Sequence, residues 1–184
     1  MANLSSGIIL IADPFLKDPN FKRTSVFLCD HQPNQGSIGF VLNRKENLLI
    51  GDLLPDLEAC NFPVFYGGPV QTDTLHFIHQ CPQLIADGIE ITDGIFWGGN
   101  FEQASVALKK QLIQPNEIRF YLGYSGWSEG QLADEITEKS WLITEANRKL
   151  VFHTNETQIW PEAIKQIGGE YVQIINYPID PALN

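Results

Sequence analysis

The sequence predicts an α+β fold, and three observations carry the prediction. Short apolar, β-branched or aromatic segments bounded by Gly, Pro and Asp crowd the first hundred residues. Helical periodicity sets in after Asn100. The two patterns do not alternate in the strand-helix-strand rhythm of a doubly wound sheet.

The first strand is expected over Ile8–Ala12, a run that stops at Asp13-Pro14. Thr24–Asp30 and Ser37–Asn43 read as the arms of a β-hairpin, because the six residues between them, His31-Gln32-Pro33-Asn34-Gln35-Gly36, are rich in turn formers. Further strands are expected at Pro63–Tyr66, Leu75–His79, Gly88–Ile91, Gly94–Trp97, Glu117–Gly123 and Trp141–Thr144. Asn100 with Gln103 three residues on predicts a capped helix, with Phe101, Ala104, Ala107, Leu108 and Leu112 on one stripe. Ser128 with Gln131 predicts a second helix over Glu129–Lys139, and Glu145–Leu150 a shorter one. The stripe Trp160, Ile164, Ile167 predicts another from Gln158 to Ile167, closed by a left-handed Gly168. No linker, repeat or like-charge block divides the chain, so one domain over 1–184 is expected.

Composition narrows the function. The 184 residues carry a net charge of −10, and 43% are hydrophobic, which describes a soluble globular chain able to bury roughly 70% of its unfolded surface. The apolar opening is too short for a membrane span and lacks a basic flank for a signal peptide. Three widely spaced cysteines without a CxxC pair fit reduced thiols, so a cytoplasmic location is expected. From Glu46 to Glu102 there are nine acidic residues and no Lys or Arg. Such a chain repels phosphate backbones, and no basic recognition helix is legible, which argues against direct DNA binding.

Each motif that could carry chemistry has an ordinary structural use beside the functional one. Gly123-Tyr124-Ser125-Gly126-Trp127 resembles a nucleophile elbow but places Trp127 where a small residue is needed; the expected role is a strand-to-helix turn with Tyr124 and Trp127 lining a groove. Cys29 and His31, two apart on a strand, would share a face, and His76 and His79 would not. None has zinc-ligand spacing, and no metal or cofactor is expected. Gly67-Gly68-Pro69 and Gly98-Gly99-Asn100 lack the nucleotide-loop patterns, although the second, opening a helix, could hold an anion.

The chain resembles the AlgH/YqgE family of bacterial proteins along nearly its whole length. The signatures are Leu4 and Gly7 through Ala12-Asp13-Pro14; Asp18 through Asn20-Phe21-Lys22-Arg23-Thr24; His31 before Gly36-Ser37-Ile38-Gly39; and Leu42-Asn43-Arg44. They continue with Gly67-Gly68-Pro69-Val70, Gly123 to Trp127, Gly130-Gln131-Leu132 with Glu135, Trp141, and Trp160-Pro161. The resemblance implies an α+β fold with a bent, partly barrel-like mixed or antiparallel sheet surrounded by helices, and a label of transcriptional regulator. It supplies no catalytic residue, and the family pattern often has Ala at position 125. The binding candidates are Asn20, Arg23, His31, Asn43, Gly67, Gly68, Tyr124, Trp127 and Gln131, serving a protein partner or small ligand. The alternatives are a small-molecule enzyme or anion-binding module built on His31, Arg23 and Asn43, and an oligomerising scaffold.

Overall fold

A computed structural model describes residues 4–178. Ten strands form one large sheet: β1 Ile8–Ala12, β2 Ser25–Gln32, β3 Gly36–Val41, β4 Lys45–Leu49, β5 Pro63–Tyr66, β6 Val70–His79, β7 Ile89–Thr92, β8 Ile95–Trp97, β9 Ile118–Trp127 and β10 Trp141–Glu145. The helices are α1 Ile50–Leu53, α2 Phe101–Lys109, α3 Gln131–Thr137, α4 Arg148–Val151 and α5 Ile159–Ile167, with a 3-10 segment over Gly169–Asn176. The sheet runs β10-β1-β2-β3-β9-β6-β8-β7, with β4 and β5 attached at its side. It is bent and not closed into a barrel. Every pairing is antiparallel except β5 beside β9.

Three apolar clusters explain the layering. All five residues of β1 are buried, so this strand is covered on both faces. Ile9 and Ile11 meet Trp160, Ala163 and Ile164 of α5, whereas Ile8, Leu10 and Ala12 face Leu132 of α3 and Trp141. The third cluster packs Ala104, Ala107 and Leu108 of α2 on Phe77, Ile118 and Phe120. Buried Arg119 braces the first cluster, lying over the Phe65 ring with its centre 4.4 Å away and donating to the carbonyls of Leu42 and His153.

β9 joins these clusters, and here the structure departs from the sequence reading. The expected turn after Gly123 does not form; the strand continues to Trp127. Gly123, at φ 69°, bends it, so residues 118–122 pair with β5 and β6 while 125–127 pair with β3. Gly67 and Gly68 cross the strand at this bend. A Cβ on Gly67 would lie 2.2 Å from the Gly123 carbonyl oxygen, and one on Gly68 2.2 Å from Tyr124 main-chain atoms. The Gly67 carbonyl accepts from Val41 N (2.9 Å) and from the buried Ser125 hydroxyl (3.0 Å), and Gly67 N donates to Leu122 O (2.8 Å).

A second departure lies in β2. Leu28 opposes Gly39 and Asp30 opposes Ile38, so Cys29 is an extra residue in this strand. Side-chain alternation inverts beyond it. Cys29 stays in the α5-side core with Phe27, while His31, opposite Ser37 and Trp127, turns to the other face. The expected shared face of Cys29 and His31 is therefore lost to a β-bulge.

The remaining differences are local. Asn100 caps α2, its Oδ1 accepting from Gln103 N at 3.0 Å, but the Gln103 Oε1 accepts from Ala86 N instead of the side chain reaching back. α3 starts two residues later than expected, because Gly130 at φ 77° turns the chain into it. Gly168 ends α5 with φ 75° and ψ −160°, a glycine conformation outside the left-handed helical region. Strand β4 was not anticipated: Lys45-Glu46-Asn47-Leu48-Leu49 is polar and half exposed.

The crossing predicts a sharp contrast between glycines. Gly67→Ala forces backbone against backbone and is expected to lower unfolding free energy by at least about 3 kcal/mol. Gly126→Ala, on the exposed part of β9, is expected to change it by less than about 1 kcal/mol. Urea denaturation of the two variants checks this.

Candidate functional site

Asn20, Arg23 and Asn43 are brought together, and their polar atoms serve the backbone. Asn43 Oδ1 accepts from Ser25 N and its amide donates to Arg23 O, both at 2.8 Å, which pins the 18–24 loop to the start of β2. Asn20 Oδ1 accepts from the Tyr66 hydroxyl (3.2 Å). Arg23, at φ 52°, lays its guanidinium over Trp160 at 4.9 Å and donates to the Tyr177 carbonyl. Arg44 braces the same loop through the carbonyls of Pro19 and Lys22.

His31 does not join them. It lies six residues along β2 from Ser25, roughly 20 Å at strand rise, with Nδ1 2.8 Å from the Ser37 hydroxyl. Gly67 and Gly68 are buried in the crossing described above.

Trp127 and Gln131 form a second group around Glu135, a residue of the family signature. Glu135 Oε2 accepts from the indole N–H groups of Trp127 and Trp141, each at 2.8 Å, and Oε1 accepts from the Gln131 amide at 2.9 Å. Gln131 Oε1 also accepts from Ser128 N (3.0 Å). Phe21 stacks on Trp127 and meets Trp141 edge-on, so this carboxylate holds an aromatic cluster together.

Tyr124 opens onto a different feature. At the free end of the β2–β3 hairpin a cleft of ≈ 390 Å³ lies over the strands where that hairpin pairs with the end of β9. Ile38, Val70 and Tyr124 line it, with Asp30 among the ionisable groups and Trp127 and Ser128 at its edge. Tyr124 is half-buried and packs edge-on against His76, with ring centres 5.9 Å apart. Ile38, Val70 and Gly126 belong to the family signatures but not to the binding candidates, and Asp30 belongs to neither. An isolated glycine inside a strand, which marks a bulge or a close approach by another group, was the available signal for Gly126.

The nucleophile candidates are engaged or suppressed. The Ser125 hydroxyl is fully buried and bonded to a carbonyl. Burial, reinforced by Asp30, pushes the Cys29 thiol well up, and burial together with Glu117 pushes the Cys81 thiol up to about 11, so neither is the thiolate that nucleophilic attack needs. The Gly98-Gly99 turn is closed by the protein itself: Asn100 N donates to Ala86 O (2.8 Å), and the Gly98 carbonyl takes the His79 Nε2 contact (3.0 Å). His76 and His79 lie on opposite faces of β6, as expected. Among the described residues no group of three or more His, Cys, Asp or Glu is placed to hold a metal ion, and no helix is long and apolar enough to cross a membrane.

The fold and these surroundings define a class: a bent-sheet α+β protein with a cleft at the junction of its two sheet halves. A family model described as AlgH-like matches residues 9–172. A UPF0301 protein of Chlorobium limicola is 43% identical over 181 residues, covering 98% of this chain and 96% of the relative. Another, from Cytophaga hutchinsonii, is 38% identical over 98% of this chain and all of the relative. The chain belongs to the AlgH-like family. Among solved structures, the solution structure of the AlgH protein from Pseudomonas aeruginosa has a TM-score of 0.71 at 24% identity, over 97% of this chain and 98% of that one. The crystal structure of DIP2367 from Corynebacterium diphtheriae has a TM-score of 0.75 at 16% identity, over 95% and 93%. Both share the fold.

Two predictions follow from the geometry. Glu135→Ala leaves two indole N–H groups without their acceptor and is expected to lower stability by about 2–4 kcal/mol and red-shift tryptophan emission; denaturation followed by fluorescence measures both. His79 is fully buried, with Nδ1 accepting from Cys81 N (3.1 Å) and Nε2 facing Gly98 O, a pattern only the neutral ring satisfies. Burial lowers its pKa, opposed in part by the Gly98 hydrogen bond. The unfolded chain therefore binds the proton first, near pH 6.5, and the stability His79 contributes above that pH falls away below it, by up to about 1.4 kcal/mol per pH unit. His79→Phe is expected to flatten the slope between pH 5 and 6.5, approximately the window given by the ordinary histidine pKa, as read by urea titrations.

Proposed function

We propose that this protein is a non-enzymatic, cytosolic regulatory adaptor that binds a protein partner at the cleft over the paired β2–β3 hairpin and end of β9. The observation that carries this reading is the cleft itself, in which Ile38, Val70 and Tyr124 are interleaved with Asp30, Gln32, Gln35 and Ser37, a mixed apolar and polar lining of the kind recognition surfaces have. Its surroundings support binding over catalysis, since the Ser125 hydroxyl is tied to a carbonyl and the Cys29 thiol is held protonated. The regulatory label implied by the family resemblance fits an indirect route, because a chain of net charge −10 approaches nucleic acid against long-range repulsion.

The reading differs from one centred on the polar loop. Asn43 spends its side-chain hydrogen bonds on the fold, and Arg23 donates one to the Tyr177 carbonyl, so replacing them acts on stability first. Gly126 is exposed, and a larger side chain there fills the cleft. In affinity capture from a lysate of the source bacterium, with stoichiometry measured by mass spectrometry, the wild type is expected to retain a protein partner that Gly126→Leu loses while its melting temperature stays within about 4 °C. Equal retention by Gly126→Leu, or retention of a turned-over metabolite with no protein, would contradict the reading.

A further inference from the structure

We propose that the outward face of α2 is a self-complementary contact through which two copies of this chain form a weak two-fold dimer. This face shares no residue with the cleft at the end of β9, so the two surfaces act independently.

The inward side of α2 buries Ala104, Ala107 and Leu108 against the sheet, and a helix packed in this way calls for polar residues on its other side. Val106 breaks that pattern. It is 45% exposed, and a β-branched residue does nothing for the helix itself. Leu112, just past the helix, is 54% exposed. Both line a groove of ≈ 490 Å³ between α2 and the 82–86 loop, with Pro82 and Leu84 on the loop side. The loop is tied to the start of the helix, Ala86 N donating to Gln103 Oε1 and Ala86 O accepting from Asn100 N, both at 2.8 Å, so the groove is a fixed feature.

Charge identifies the occupant. Glu102 and Lys110 are the ionisable residues lining the groove, and among the described residues neither forms an ion pair. They stand four residues before and four residues after Val106, so the three make one i, i+4, i+8 ridge whose charge reverses from end to end about an apolar middle. Such a ridge complements its own copy rotated by a half-turn about an axis at Val106. In the commonest class of helix packing, with axes crossing at about 50°, the i±4 ridges of the two helices lie side by side. Val106 then meets its symmetry mate, and each Glu102 carboxylate faces the Lys110 ammonium of the other copy, as an isologous contact requires. An unrelated protein would have to match this reversal by coincidence; a second copy carries it by symmetry.

The area sets the strength. The ridge is about 12 Å long at helix rise and, with the loop beside it, offers on the order of 400 Å² per copy, half the roughly 800 Å² of a standard interface. The dissociation constant is therefore expected to be on the order of 100 μM.

The test is small-angle X-ray scattering of the full chain from about 20 μM to about 1 mM, at about 0.1 M ionic strength, where the net charge of the two copies is screened more than a contact pair. The average mass of the wild type is expected to rise toward that of a dimer, while Val106→Asp stays monomeric and serves as the reference. Glu102→Lys alone and Lys110→Glu alone each set like charges against each other twice and are expected to weaken association about tenfold. The double variant Glu102→Lys with Lys110→Glu is expected to recover wild-type association, and an equimolar mixture of the two single variants to form a heterodimer at concentrations where neither associates alone. All three positions are exposed, and unchanged melting temperatures verify that the variants keep the fold. A wild type that stays monomeric to the top of the range, a dimer indifferent to both single reversals, or a double variant and mixture no tighter than the single variants would each overturn the inference.

Discussion

The main chain at Gly67 and Gly68 runs so close to that of β9 at Gly123 to Ser125 that neither position has room for a Cβ. From this crossing the rest of the architecture follows. Because β9 must bend around it, the strand exchanges β5 and β6 for β3 as its neighbours. The bend divides one face of the sheet into a part covered by α2 and a part covered by α3, while α5 packs on the opposite face. It also carries the far end of β9 beyond the start of β6 at Val70, so that Gly126 and Trp127 pair with the hairpin and a cleft lies over the paired strands. The Ser125 hydroxyl and the Val41 amide both close on the Gly67 carbonyl, which makes the crossing a hydrogen-bonded joint as well as a steric one.

Polar residues near this joint fall into two kinds. Asn43, Arg23, Arg44 and Glu135 are braces: each directs its polar atoms to a loop carbonyl or an indole, and each replaces secondary structure where the chain is irregular. Asp30 lines the cleft, and its carboxylate accepts a long 3.4 Å bond from the Gln32 amide. A polar side chain with its bonds spent on the fold contributes to stability; one lining a cleft is available for recognition.

Much of the fold was legible in the sequence because local chemistry decided it. Ile8–Ala12 and Pro63–Tyr66 are apolar, bounded runs and form strands with those limits; Asn100 and the stripe behind it form the capped helix α2. The failures have physical causes. β4 is polar because it is half exposed, so hydrophobic patterning is silent. The bulge at Cys29 depends on the register of β2 against β3, which no single strand encodes, and it reversed the expected pairing of faces for Cys29 and His31. Gly123 looked like the end of a strand because its positive φ is usual in turns, yet neighbouring strands on both sides kept the chain extended. For the candidate site, Tyr124 and Trp127 were visible as aromatics in a glycine-rich stretch. Asp30 was not, since only sheet pairing brings the hairpin to a strand far along the chain.

Two surfaces compete for the binding role, the cleft and the braced polar loop. The most direct measurement is a hydrogen-exchange footprint of the protein alone and with the partner it captures. Protection is predicted at residues 30–38, Val70 and 124–128, with exchange of the 18–24 loop and Asn43-Arg44 unchanged. Protection confined to that loop and Asn43-Arg44, with the hairpin and the end of β9 unaffected, would contradict the account.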